Sequence, residues 1–211
     1  MIYNQCMEIK NVLVCGFSRN EFIFLSPAIR IVLGNAKLFC AKSFNEVQKF
    51  ISDQNFKIDA VCINCSIPFY ELDLLFSLFP EHILTVCLSW QPVPVENIDV
   101  MLKHKADCML FDMQSEDEFT ACHKAVTEGK SFRSKGTFRA KEDSYNNSID
   151  IYEKLSYRQK CAFLWMMMGK TQKEYMYDFD FKSPGTAATH WHKVLEKYKV
   201  KSVIELRNLF R

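Results

Sequence analysis

The chain has 211 residues, 27 Lys and Arg against 25 Asp and Glu, and nine cysteines. That length accommodates two modest domains, each able to bury its own core. Its apolar runs are too short to cross a bilayer. Residues 1–10 lack the basic stretch and apolar core of a secretory leader. The odd number of cysteines follows no paired spacing, which argues against a disulfide scaffold and for a reducing, cytoplasmic setting.

In chain order, residues 1–128 alternate apolar strand-like runs with amphipathic stretches. Strands are expected at 12–15, 37–40, 60–65 and 84–88, with a weaker one at 108–111. Helices are expected at 21–33, 44–51, 96–105 and 116–127. This alternation predicts a parallel sheet with helices on both faces. Ligand chemistry in such a sheet belongs at the carboxyl ends of the strands. Cys62-x-x-Cys65 falls inside an expected buried strand, so it reads as packing rather than as a redox pair.

The formal charge of +2 conceals an asymmetry. Residues 1–128 hold 10 Lys/Arg and 16 Asp/Glu, whereas 129–211 hold 17 and 9. A basic second half is the electrostatic footprint of a partner such as a phosphate backbone. Residues 129–153 read as a linker, basic at 130–141 and polar at 143–150.

From 154 onward, four helix starts follow in series. Ser156/Gln159, Thr171/Glu174 and Ser202/Glu205 each have capping-box spacing. Ser183-Pro184 supplies an N-cap followed by proline at the first helical position. The first helix should bury Cys161, Leu164, Trp165 and Met168 and end at Gly169. The second offers Tyr175, Met176 and Phe179, and the fourth Val203, Leu206 and Phe210. The third carries Ala187, Trp191, Val194, Leu195 and Tyr198 on one side. Its other side holds Ala188, Thr189, His192, Lys193 and Glu196. His190 reads as a packing residue near the turn, and its spacing from His192 does not suit a metal pair.

Leu155-Ser156-x-Arg158, Gly169, Lys173-Glu174, Ser183-x-x-Thr186, His190 and Lys197 together resemble the four-helix head of LuxR/NarL-type transcription regulators. The resemblance covers about fifty-five residues. Between Phe179 and Ser183 the chain is one residue longer than the usual turn. The resemblance implies that the third helix lies in the major groove of double-stranded promoter DNA. Ala188, Thr189 and His192 would then face base edges. Thr186, Lys193 and Lys197, with Lys170 and Lys173, would anchor the phosphate backbone. Ala188 stands where the family often has a long cation or amide. It can touch a thymine methyl but cannot make paired hydrogen bonds, so direct readout is thin.

The first half resembles a receiver domain, through its layout and the stretches at 59–68 and 105–113. A flavodoxin-like α/β domain followed by an all-α helix-turn-helix domain is the fold expected. A working receiver needs an acidic pair after the first strand, an Asp after the third and a Lys after the fifth. Here these places read Cys15-Gly16-Phe17, Asn64 and Asp112, and only Ser89 matches the usual Ser/Thr. Mg²⁺ requires hard oxygen ligands, and a carboxamide is no nucleophile for phosphoryl transfer. The site is therefore read as degenerate, with no metal, no cofactor and no enzymatic activity expected.

The resemblance leads to a bacterial, phosphorylation-independent, DNA-binding transcription regulator, cytoplasmic and nucleoid-associated. It would act as a homodimer, or as the auxiliary heterodimer partner of a LuxR-type response regulator in the manner of RcsA-like proteins. Pairing would use the face at 96–105, 108–111 and 116–126, and RNA polymerase is a further candidate partner. The alternatives are an interaction-only protein that titrates a partner regulator, and a small-ligand sensor lined by Cys15, Asn64, Ser89 and Asp112.

Overall fold

The computed structural model describes residues 9–53, 56–89, 93–111, 116–135 and 151–210. The chain divides into two compact units, Met1–Asp143 and Ser144–Arg211.

The first unit is a six-stranded, all-parallel sheet of order β2-β1-β3-β4-β5-β6. Its elements run β1 (Asn11–Cys15), α1 (Arg19–Leu33), β2 (Lys37–Ala41), α2 (Phe44–Ser52), β3 (Ala60–Asn64) and α3 (Phe69–Leu78). They continue with β4 (Leu84–Ser89), α4 (Val95–Lys103), β5 (Cys108–Phe111), α5 (Glu116–Thr127) and β6 (Phe132–Arg133). Strand order reverses between β1 and β3, the crevice position at which doubly wound sheets hold ligands.

Parallel strands covered on both faces read as continuous apolar runs, and β3, wholly buried from end to end, is such a strand. Val12, Val14, Ala60, Cys62, Val86, Leu88, Cys108 and Leu110 point to one face, where Leu25, Ile29 and Val32 of α1 and Cys122 and Val126 of α5 cover them. The alternate residues, among them Leu13, Ile63, Cys87 and Met109, are equally buried and point to the other face. Short polar clasps pin the strand starts. Asp59 Oδ2 accepts from the Lys10 and Asn11 amides, both at 3.0 Å. Asp107 Oδ2 accepts from the amide (2.8 Å) and hydroxyl (3.0 Å) of Thr85.

Buried Asp73 of α3 (1 % exposed) holds α4: its Oδ1 lies 2.8 Å from His104 Nε2 and 3.3 Å from Lys103 Nζ. The His104 ring stacks on Phe76, with centroids 5.1 Å apart.

The second unit contains α6 (Tyr157–Met167), α7 (Gln172–Asp178), α8 (Pro184–Lys197) and α9 (Val203–Asn208). Capping boxes begin α6 and α7, as their spacing predicts. At α9 the Glu205 amide donates to Ser202 Oγ, but the Glu205 carboxylate receives the Lys201 amide instead of that of Ser202. Ser183 precedes Pro184 as an N-cap but makes no side-chain cap bond.

Helix α6 is the centre of the unit, with every residue from Cys161 to Met166 buried. The apolar stripe expected on α6 stops one residue early. Met168 is 49 % exposed, because the helix has ended and the residue is its C-cap. Phe163 packs against the rings of Tyr152, Tyr198 and Phe210. Trp165 Nε1 donates to Asp178 Oδ2 (2.8 Å), and the Tyr175 hydroxyl donates to the Arg158 carbonyl (2.7 Å).

Three turns of this unit close on a left-handed residue: Gly169, Asp180 and Lys199. Behind each, an amide reaches five residues back: Lys170 to Trp165, Phe181 to Met176 and Val200 to Leu195. This is the Schellman pattern that satisfies terminal carbonyls.

The stretch read as a linker serves both units. Phe132 and Arg133 form β6 alongside Cys108 and Met109, and Tyr152 is buried in the helical core. The sheet unit therefore runs beyond 128, and the helical unit starts before 154.

Candidate nucleic-acid interface

Helix α8 divides cleanly into two faces. Ala187, Trp191, Val194 and Tyr198 are buried and Leu195 is half-buried, against α6 and α7. Thr186, Thr189, His192, Lys193 and Glu196 are exposed, and Ala188 lies at the margin. The hydroxyl of Thr189 donates to the Gly185 carbonyl at 2.8 Å. Lys173 is exposed on α7, and Lys182 is exposed just before the Ser183 cap. Lys182 went unnoticed in the sequence because it sits in the irregular α7–α8 turn.

Two of the expected phosphate anchors are engaged elsewhere. Lys197 Nζ donates to the Lys154 carbonyl and to Gln159 Oε1 (3.1 Å), so its ammonium ties α8 back to the start of α6. Lys170 Nζ sits 3.0 Å from Asp178 Oδ2 and 4.7 Å from the Trp165 ring centroid. Lys197, in the last turn of α8, is thus already engaged by a carbonyl and a carboxamide oxygen of the segment that opens α6. His190 is half-buried against Phe181, at 5.8 Å, and its Nδ1 has no hydrogen-bond partner among the described residues. Burial, then the nearby Arg158 and Lys193, hold its pKa below the usual histidine value.

At the carboxyl end of the sheet, the strand ends are tied to one another. Gly16 has φ 79°, and a Cβ there would lie 3.1 Å from Ile67 Cγ2 and 3.3 Å from Asn64 Cβ. Asn64 Nδ2 donates to the Gly16 carbonyl (3.0 Å), and the Ser66 amide donates to Asn64 Oδ1 (2.9 Å). Ser66 Oγ and Ser89 Oγ are 2.6 Å apart. Asn97 of α4 donates to the carbonyls of Cys65 (2.6 Å) and Ile67 (2.7 Å).

Cys15 and Phe17 are buried, and burial pushes the Cys15 thiol far up. Asp112 lies outside the described residues. A thiol, a bare glycine, a phenyl ring and a carboxamide offer no hard anionic ligands, so these residues do not fit a divalent cation. Cys62 and Cys65 are likewise buried free thiols, raised well above the ordinary range by burial, as suits packing rather than redox chemistry. Ser66 and Asn97 were missed in the sequence. Asn97, a buried carboxamide beside Ile98 on an amphipathic helix, was the available signal.

The face expected to pair subunits differs from expectation at its strand. The free edge of β5 is taken by β6, through the Phe132 amide to Asp107 O and the Ser134 amide to Met109 O, both 2.9 Å. The Ser134 hydroxyl also accepts the Phe111 amide at 3.0 Å. Asp99, Leu102 and Lys103 of α4 remain exposed, as do Glu116, Asp117, Thr120 and Lys124 of α5.

No family model matches the chain, and no curated protein matches it. Solved structures do. The structure of two RcsB dimers bound to two parallel DNAs is 14 % identical, covers 96 % of this chain and 98 % of its own, and has a TM-score of 0.50. An RcsB response regulator of Salmonella typhimurium is 14 % identical, with 97 % and 99 % covered and a TM-score of 0.49. The response regulator ChrA of a heme-sensing two-component system is 14 % identical, with 96 % of each chain covered and a TM-score of 0.41. The likeness is one of fold: a receiver-like parallel sheet followed by a helical unit, as in a full-length response regulator.

Proposed function

We propose that this chain is a DNA-binding transcription regulator of LuxR/NarL type whose receiver-like unit works without phosphorylation. The observation that carries the DNA reading is the two-faced α8. Its apolar side is fixed against α6 and α7, while Thr186, Thr189, His192 and Lys193 project from a unit rich in cations. A helix held this way can enter a major groove without unfolding anything. The DNA-bound RcsB dimers of similar fold add support for double-stranded DNA as the partner.

Phosphorylation independence is supported by the strand-end network. Asn64 is neutral, is bonded to Gly16 and Ser66, and carries no carboxylate to accept a phosphoryl group. The same network speaks against a small-ligand sensor, since Asn64 is already bonded to Gly16 and Ser66, and Ser89 to the Ser66 hydroxyl. Pairing with a second copy, or with another regulator of this type, would use the exposed sides of α4 and α5 without the β5 edge. The short polar reach of Ala188, Thr189 and His192 favours a partner that contributes part of the sequence recognition. Nucleoid association and contact with RNA polymerase follow from the same reading.

The test is fluorescence anisotropy of the full chain on duplex DNA across a salt series. Specific binding should weaken in the Lys173→Ala, Lys193→Ala double variant, with the log–log salt slope shallower by about 2 for the two lost phosphate contacts. An unchanged slope, or no salt-dependent binding by the parent chain, refutes the reading and leaves an interaction-only protein.

A further inference from the structure

Resting on the DNA reading above, we propose that the outward face of α8 selects thymine, through the C5-methyl group in the major groove. The residues from Pro184 to His192 include no Arg, Lys, Asn or Gln. Those four types make the bidentate contacts that pick out guanine or adenine. The half of the helix that would face base edges therefore lacks paired donors altogether.

What it offers instead is methyl groups. The side chain of Ala188 is a single methyl. Thr189 spends its hydroxyl proton on the Gly185 carbonyl at 2.8 Å, which turns the oxygen toward the helix backbone. Its Cγ2 methyl is then the outward-directed group of an exposed side chain. Ala188 and Thr189 thus form a two-methyl patch, flanked by Thr186 on the preceding turn and His192 on the following one. The thymine methyl is the one apolar substituent that standard bases display in the major groove. His192 can give or take a single hydrogen bond, which orients the patch without deciding the base. Glu196, one turn further on, is exposed and accepts only; opposite cytosine N4 it would add a weak second preference.

The test begins with selection of duplexes from a random pool by the full chain. Affinity is then measured for the selected duplex after replacing thymines one at a time by deoxyuridine, which removes only the methyl. Deaza-purines, which remove only N7, serve as the parallel series. Uracil at one or two positions should weaken binding about fourfold each, the value of one buried methyl. Thr189→Val should keep that discrimination, and Thr189→Ser should lose it at one position. Indifference to uracil at every position, with sensitivity to the deaza-purines, overturns the thymine reading and leaves DNA binding intact. Enrichment of no duplex at all, with no salt-dependent binding, overturns both.

Discussion

Asn64→Asp restores the residue type that a phosphorylatable receiver carries, yet the geometry makes it destabilising rather than activating. Asn64 is 7 % exposed, and its Nδ2 donates to the Gly16 carbonyl at 3.0 Å. A carboxylate at 64 places an acceptor against that carbonyl, so one hydrogen bond is lost, worth about 1 kcal/mol. A poorly partnered, desolvated charge adds about 2 kcal/mol more. The sum, roughly 3 kcal/mol, should lower the melting temperature of the sheet unit by about 10 °C.

The penalty should depend on pH. The carbonyl and burial raise the folded pKa of the new acid above its unfolded value near ~3.9. A raised pKa means that folded-state stability is lost as pH rises through it, so the deficit is full at pH 8 and shrinks toward pH 4. Urea titrations of variant and parent at pH 8 and pH 5 measure the difference. Incubation of the variant with acetyl phosphate and Mg²⁺, read by intact mass, should show no phosphoryl uptake. A deficit under about 1 kcal/mol at pH 8, or one that is equal at both pH values, refutes the latch between Asn64 and Gly16.

Asp73→Ala should cost about 1–3 kcal/mol in urea, because it strips the acceptor from His104 at 2.8 Å. Lys103→Ala should cost far less, since that lysine is nearly half exposed. Asp178→Ala leaves the Trp165 indole N–H and the Lys170 ammonium without their acceptor, and should destabilise the helical unit by about 1–3 kcal/mol with a shift in tryptophan emission. Lys197→Met should lower stability by about 1 kcal/mol while leaving the DNA salt slope unchanged, unlike Lys193→Ala. His190, with its pKa depressed chiefly by burial, supplies stability above about pH 6.5 that is lost as pH falls through its folded value. His190→Phe should remove that acid-side loss in a circular-dichroism melt series from pH 7.5 to 5.

The strands were legible because buried parallel strands leave unbroken apolar runs, and β1 to β5 each carry one. Helix α3 was not, because Leu72 to Phe76 are all buried and no polar face marks a helical period. Asp73 inside that run disguises it further, since its partners lie thirty residues away. The two-residue β6 is too short to signal itself. On α8 the split between buried and exposed residues followed directly from 3.6-residue spacing. The direction of the Lys197 ammonium did not, because a flexible stem at a helix end is set by which carbonyls are near. Asn64 was identifiable as a departure from a receiver's chemistry and Ser89 as the one position that matches it, whereas Ser66 and Asn97, which complete the network, follow no motif spacing.

The strip of chain at Phe132–Ser134 keeps a ladder from being left open. Severing the protein just ahead of it, by protease or by an early stop, would bare the Cys108–Phe111 margin with its amides and carbonyls unspent. Such a margin invites self-templating between molecules. Fragments ending near residue 128 should therefore be clump-prone in a way that those ending near 135 are not, and anyone preparing the sheet unit alone has reason to cut late.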